Sequence, residues 1–77
     1  TAHNLYVQAG SFGSYQNAEK LAQNLASHGV VNISEAIVNG QTFYRVRLGP
    51  LQEIADADRV LSNVVNSGQK SAQIIVD

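Results

Sequence analysis

Two sets of residues in this chain are spaced by two and carry groups that bind well: Tyr6 with Gln8, and Phe43 with Arg45 and Arg47. Spacing by two puts each set on one side of a β-strand. A guanidinium forks onto carboxylates and other oxygen groups, a carboxamide both donates and accepts, and an aromatic face stacks. Gly10 continues the first set and would let a ligand approach the backbone. This mixture suits a sugar, with Phe43 or Tyr6 against apolar ring faces while Gln8 and the arginines bind hydroxyls, acetamides or a carboxylate. Two arginines on a wetted sheet face are by themselves ordinary solubility. The combination with an amide, a glycine and exposed aromatics is what points to a binding platform.

Nothing comparable points to catalysis. Hydrolysis needs a nucleophile with a base, a paired acid and base, or a metal cluster. Cysteine is absent, so no thiolate nucleophile, thiolate metal site or disulfide framework is available. His3 falls on a terminal arm and His28 at a helix end, where an imidazolium suits the dipole; neither has metal-ligand spacing. Asp56 and Asp58 are two apart on a helix and do not share a face, so they read as a solvated first turn. Gly10-Ser11-Phe12-Gly13 lacks the lysine and full glycine spacing of a phosphate loop. The expectation is a non-enzymatic module that needs neither metal nor cofactor.

At 77 residues with 44% hydrophobic content, residues 1–77 form one small packed domain. A formal charge of −1 supplies no field for holding nucleic acid by counterion release. No apolar run is long enough to span a bilayer, and no basic-then-apolar signal opens the chain. A start at Thr1 without Met reads as a piece of a longer or processed protein.

The elements that must position the two sets follow from periodicity. Leu5, Val7 and Ala9 alternate with Tyr6, Gln8 and Gly10, predicting a first strand over residues 4–10. Ser14 is an N-cap for a helix whose stripe is Tyr15, Ala18, Leu21, Ala22 and Leu25, stopped at Gly29. Residues 31–38 and 41–48 are β-rich runs joined by Asn39-Gly40, the signal of a two-residue type I′ hairpin. That turn sets Ile33 opposite Val46, Val31 opposite Leu48 and Ile37 opposite Thr42 on an apolar side. Asn32, Ser34 and Ala36 then face Arg47, Arg45 and Phe43 on the polar side. Glu35 falls on the apolar side and is placed near the sheet edge, where its carboxylate reaches water. Gly49-Pro50 is read as the end of the third strand. A second helix carries Ile54, Ala57, Val60, Leu61, Val64 and Val65 on one stripe, and residues 72–76 make a final strand.

The order βαββαβ predicts an α+β, ferredoxin-like fold, with an antiparallel-type sheet in the order 4-1-3-2 and both helices on one face. The other face is open. There Tyr6, Gln8 and Gly10 would lie beside Phe43, Arg45 and Arg47.

Gln8-Ala9-Gly10-Ser11-Phe12, Asn17-Ala18 on the first helix, and Arg45-Val46-Arg47-Leu48-Gly49-Pro50 occur in the order and spacing of the SPOR domain family, which the chain resembles from Leu5 to Val76. The resemblance implies a module of bacterial cell-envelope proteins that binds peptidoglycan glycan strands stripped of their stem peptides and directs its host to the division septum. It implies a periplasmic or envelope location. Gln8, Ser11, Phe12, Phe43 and Arg45 match positions of the family's motifs; Leu51 departs from the Phe often found after Gly-Pro. The chain also resembles the C-terminal portion of the rare lipoprotein A type of lytic transglycosylase, whose catalysis would reside in another domain. The expected ligand-binding set is therefore Tyr6, Gln8, Gly10, Ser11, Phe12, Phe43, Arg45 and Arg47, with Ser11 and Phe12 in the turn after the first strand. A monomer is expected that takes peptidoglycan, binds no nucleic acid and does not insert into membrane. Two other readings share the topology: an RNA or single-strand binder, against which stand the missing aromatic-rich basic motif and the net charge, and a metabolite-sensing module working at a dimer edge.

Overall fold

The computed structural model describes residues 4–77; His3 lies outside them. The chain runs β1 (Leu5–Phe12), α1 (Tyr15–Leu25), a 3-10 turn (Ala26–His28), β2 (Val31–Val38), β3 (Gln41–Leu51), α2 (Ile54–Asn66) and β4 (Gln73–Val76). The strands form one sheet in the order β2-β3-β1-β4, and every neighbouring pair is antiparallel. Read from the other edge, this is the expected 4-1-3-2.

Both helices pack on the same side of the sheet because their apolar stripes have only that surface to bury against. Ala18, Leu21 and Leu25 of α1, with Val60 and Val64 of α2, meet Val7 and Ala9 of β1 and Val46 and Leu48 of β3 in one buried cluster. Ser14 caps α1, its hydroxyl accepting from the Asn17 N–H at 3.4 Å. Tyr15 is half-exposed and stacks edge-on against Tyr44, with ring centroids 5.5 Å apart. The aromatic at the head of the apolar stripe thus lies at the rim of the core.

The β2–β3 hairpin has the expected register throughout, with Val31 opposite Leu48 and Val38 opposite Gln41. Asn39 and Gly40 both have positive φ, 52° and 79°, as a type I′ turn requires. Glu35 is opposite Tyr44 and exposed, because β2 is an edge strand.

Two strand ends differ from expectation. β3 does not stop at Gly49-Pro50 but continues to Leu51, which pairs with Leu5. Pro50 lacks an N–H, yet here it occupies a bulge: two β3 residues, Gly49 and Pro50, stand opposite the single residue Tyr6. The Gly49 N–H donates to the Val30 carbonyl at 3.0 Å, and the Asn32 side-chain amide donates to the Gly49 carbonyl at 3.2 Å. β1, in turn, runs to Phe12 instead of ending at Gly10. Between the pairs Gln8–Arg47 and Gly10–Val46 the extra residue belongs to β1, and it is Ala9. The two bulges compensate, so the pairing resumes at Ser11–Arg45 and Phe12–Tyr44.

Candidate functional site

The open face is built in cross-strand rows, because residues directly opposite in an antiparallel pair share a side. One row reads Gln73, Gln8, Arg47, Asn32 across all four strands. The next reads Ser11, Arg45, Ser34. Phe43 lies beyond it, opposite Ala36, and Tyr6 lies at the other end between Ile75 and the Gly49–Pro50 bulge. Rows two residues apart on a strand are separated by about 6.8 Å, so Arg45 and Arg47 form a short cationic ladder.

The side chains on this face are partly organised by one another. Arg47 Nε donates to Gln8 Oε1 at 3.0 Å, and the Arg47 guanidinium lies 6.0 Å from the Tyr6 ring centroid, within cation–π range. Its remaining N–H groups are free to bind. The Tyr6 ring in turn lies over Gly49, where a Cβ would come within 3.1 Å of Tyr6 Cδ1. Arg45, half-buried between Ser11 and Ser34, makes no side-chain hydrogen bond or ion pair among the described residues.

Charge is segregated. Of the six Asp and Glu residues only Asp77, just past β4 with its N–H donating to the Asn4 carbonyl, continues the alternation of this face, at its end, while Arg45 and Arg47 stand at its centre. The one ion pair among the described residues, Arg59 with Asp56 at 3.2 Å, belongs to α2. A chain of net charge −1 therefore presents a locally cationic sheet.

Tyr6, Gln8, Phe43, Arg45 and Arg47 lie where the alternation predicts. Gly10 and Phe12 do not. The extra residue at Ala9 inverts the alternation, so Gly10 stands opposite the buried Val46 and its missing side chain would point at α1. A Cβ there would lie 3.2 Å from Leu21 Cδ2 and 3.2 Å from the Phe12 ring. Phe12 packs against the helix-side core. The same inversion turns Ser11 out onto the open face opposite Arg45, in a strand and not in a turn. Gly10 and Phe12 thus shape the site from behind while Ser11 stands in it.

Asn32, Ser34 and Gln73 also line the rows, although they were not counted among the site residues. The hairpin register already sets Asn32 and Ser34 opposite the arginines. Gln73 depends on the β1–β4 pairing, for which the sequence carries no local signal. Among the described residues no group of three His, Asp or Glu side chains gathers to hold a metal, and no helix is long and apolar enough to cross a membrane. The arrangement offers charge-assisted hydrogen bonds, amide hydrogen bonds and aromatic surface on a shallow platform. These are groups suited to holding a ligand.

Comparison with known proteins agrees with this architecture. The family model described as SPOR domain matches residues 2–76. The crystal structure of the RlpA SPOR domain from Pseudomonas aeruginosa superposes with a TM-score of 0.84 at 29% identity, covering 92% of this chain and 96% of that one. The solution structure of the peptidoglycan-binding domain of the B. subtilis cell wall lytic enzyme CwlC gives a TM-score of 0.74 at 26% identity, covering 100% of this chain and 92% of that one. No curated protein matches the chain.

Proposed function

The chain belongs to the SPOR domain family, and from that premise we propose that this peptidoglycan-binding module takes glycan strands stripped of their stem peptides on its open sheet face. The observation that carries the reading is the row in which Gln8 orients Arg47, next to an Arg45 with no side-chain partner among the described residues and with no carboxylate in either arginine's row. Such a face attracts an anionic, hydroxyl-rich polymer and leaves guanidinium N–H groups for it.

The chemistry also supplies a reason for discrimination. Removing a stem peptide exposes a lactyl carboxylate on the sugar, where an intact strand has a neutral amide. A hydrogen bond from arginine to a carboxylate is about twice as strong as one between neutral groups. A bare strand also lies flat on a four-strand platform, with Tyr6 or Phe43 against its ring faces. Peptidoglycan binding of this kind would carry an otherwise separate enzymatic or structural host to the septal envelope, with the module acting as a monomer and any lytic chemistry residing elsewhere in the host.

Pull-down on sacculi tests the reading. Sacculi treated with an amidase should retain the domain more strongly than untreated ones, and equal retention would remove stem-peptide discrimination. Arg45→Ala should weaken retention on treated sacculi about tenfold while leaving the circular dichroism spectrum unchanged, since Arg45 holds nothing else in place. Tight binding of an oligonucleotide with a steep salt slope would instead favour a nucleic-acid ligand.

A further inference from the structure

The outer edge of β2 carries features that the sheet-face site does not use. β2 is eight residues long, pairs only with β3, and does so without a bulge. Exposed edges are ordinarily blunted by shortness, Lys, Pro, a bulge or an inward-pointing charge, because their free N–H and C=O groups template a further strand; of these β2 carries only the last, Glu35 on the helix side. The opposite edge, β4, is only four residues long. β2 has no Lys, Arg or Pro, and Ile37 and Val38 on it are 75% and 42% exposed.

Beside this edge, on the helix side, runs an open groove of about 470 Å³ between α1 and β2. Its floor is Ala22, Val31 and Ile33, and its α1 wall carries Tyr15 and Glu19. Glu35 lies beyond the groove's lining but shares a side with Val31 and Ile33 and stands opposite Tyr44, the ring on which Tyr15 stacks. Both carboxylates are exposed, and among the described residues neither has a cationic partner.

We propose that the β2 edge is a second binding site, for an extended polypeptide that adds as a fifth strand and carries apolar and basic side chains in turn at every second position, so that both kinds lie on its groove-facing side. Main-chain hydrogen bonds to β2 would hold it, and every second side chain would enter the groove. There apolar groups meet Val31 and Ile33, and a lysine or arginine meets Glu19 or Glu35. A second copy of this chain fits less well. Any two-fold antiparallel pairing of β2 with itself that keeps side chains on matching faces sets Glu35 against Glu35, or against Val31, Ile33 or Ile37. Each pairs a charge with its like or buries it against an apolar group. The acidic groove selects a basic partner.

The test is a heteronuclear NMR titration of the labelled domain with an acetylated, amidated octapeptide in which Val and Lys take turns at every second position with Thr between them, so that Val and Lys share one face. Saturable shifts are expected along residues 31–38 and at Tyr15 and Glu19, while Gln8 and Arg45 stay still. The same peptide with Glu for Lys should bind about fivefold more weakly, as two exposed charge pairs allow. Glu19→Lys combined with Glu35→Lys, both at exposed positions, should reverse that preference. N-methylation of alternate backbone amides of the peptide should abolish binding. Absence of shifts on β2, shifts centred on the open face, or equal affinity for the two peptides would overturn the proposal. So would concentration-dependent β2 shifts without peptide, which would assign the edge to a second copy.

Discussion

Strand β3 is paired along both sides, and the two seams differ. Against β2 it runs through eight consecutive residue pairs with no irregularity. Against β1 it carries two opposed bulges within a few residues, at Gly49–Pro50 on one strand and at Ala9 on the other. The regular seam stands between the edge strand and the centre; the irregular one runs through the middle of the candidate site. A bulge re-aims the residues beyond it. Here the pair of bulges sets Tyr6 over Gly49, keeps Gln8 on Arg47, and turns Ser11 outward to Arg45 without disturbing the core on the other side. The platform's composition comes from alternation, and its layout comes from where alternation is broken.

The largest expected effect breaks the irregular seam. Gly49 has φ of 137°, and a Cβ on it would lie 2.8 Å from the Leu5 carbonyl oxygen, a backbone atom that cannot swing away. Gly49→Ala should therefore destabilise the domain by about 3 kcal/mol, combining backbone strain with a steric clash. For a domain of this size that is a large part of its total stability. Urea unfolding should show a much lower midpoint, and an unchanged midpoint would mean that the bulge relaxes freely.

A smaller effect tells the two sides of β1 apart. If Gly10 faces α1, Gly10→Ala presses its methyl on Leu21 and Phe12, both side chains able to give by a few tenths of an ångström. Stability should fall by about 1 kcal/mol, with retention on amidase-treated sacculi kept at the wild-type level. If Gly10 faced the ligand, the outcome would invert, with stability unchanged and retention reduced. The paired measurements thus read the Ala9 bulge directly.

What was legible in the sequence divides along the same line. Asn39-Gly40 determines the hairpin register because a two-residue I′ turn leaves no freedom, so the sides of Phe43, Arg45 and Arg47 follow from it. Tyr6 and Gln8 precede the Ala9 bulge and keep their alternation. Gly10, Ser11 and Phe12 follow it, and period-two reading assigns them to the wrong sides or to a turn. A bulge at Ala9 has no local signature: it arises from β1 having to match a β3 that already carries Gly49 and Pro50 against Tyr6. Pro50 misleads for the same reason, since Pro forbids a ladder donor but not a bulge position. The Gln73 contribution was hidden because β4 meets β1 only through the crossover of α2.

The smallest expected effect probes the regular seam. Gly40, like Gly49, has positive φ, here 79°, but a Cβ on it would meet nothing within 4 Å. Asn is among the residues that tolerate this region, through local hydrogen bonding of its side chain. Gly40→Asn should therefore shift stability by less than about 0.5 kcal/mol. The register should also survive, because β3 is held by β1 and a slip by one residue would turn Val31 and Ile33 of the edge strand out and Asn32 and Ser34 in toward the core. Unchanged cross-strand NOEs between Ile33 and Val46 would establish this. Two glycines of like backbone sign would then differ in consequence several-fold. At Gly40 the sign of φ is the whole demand on the residue, and Asn can meet it. At Gly49 the missing Cβ is also the space into which the central strand fits.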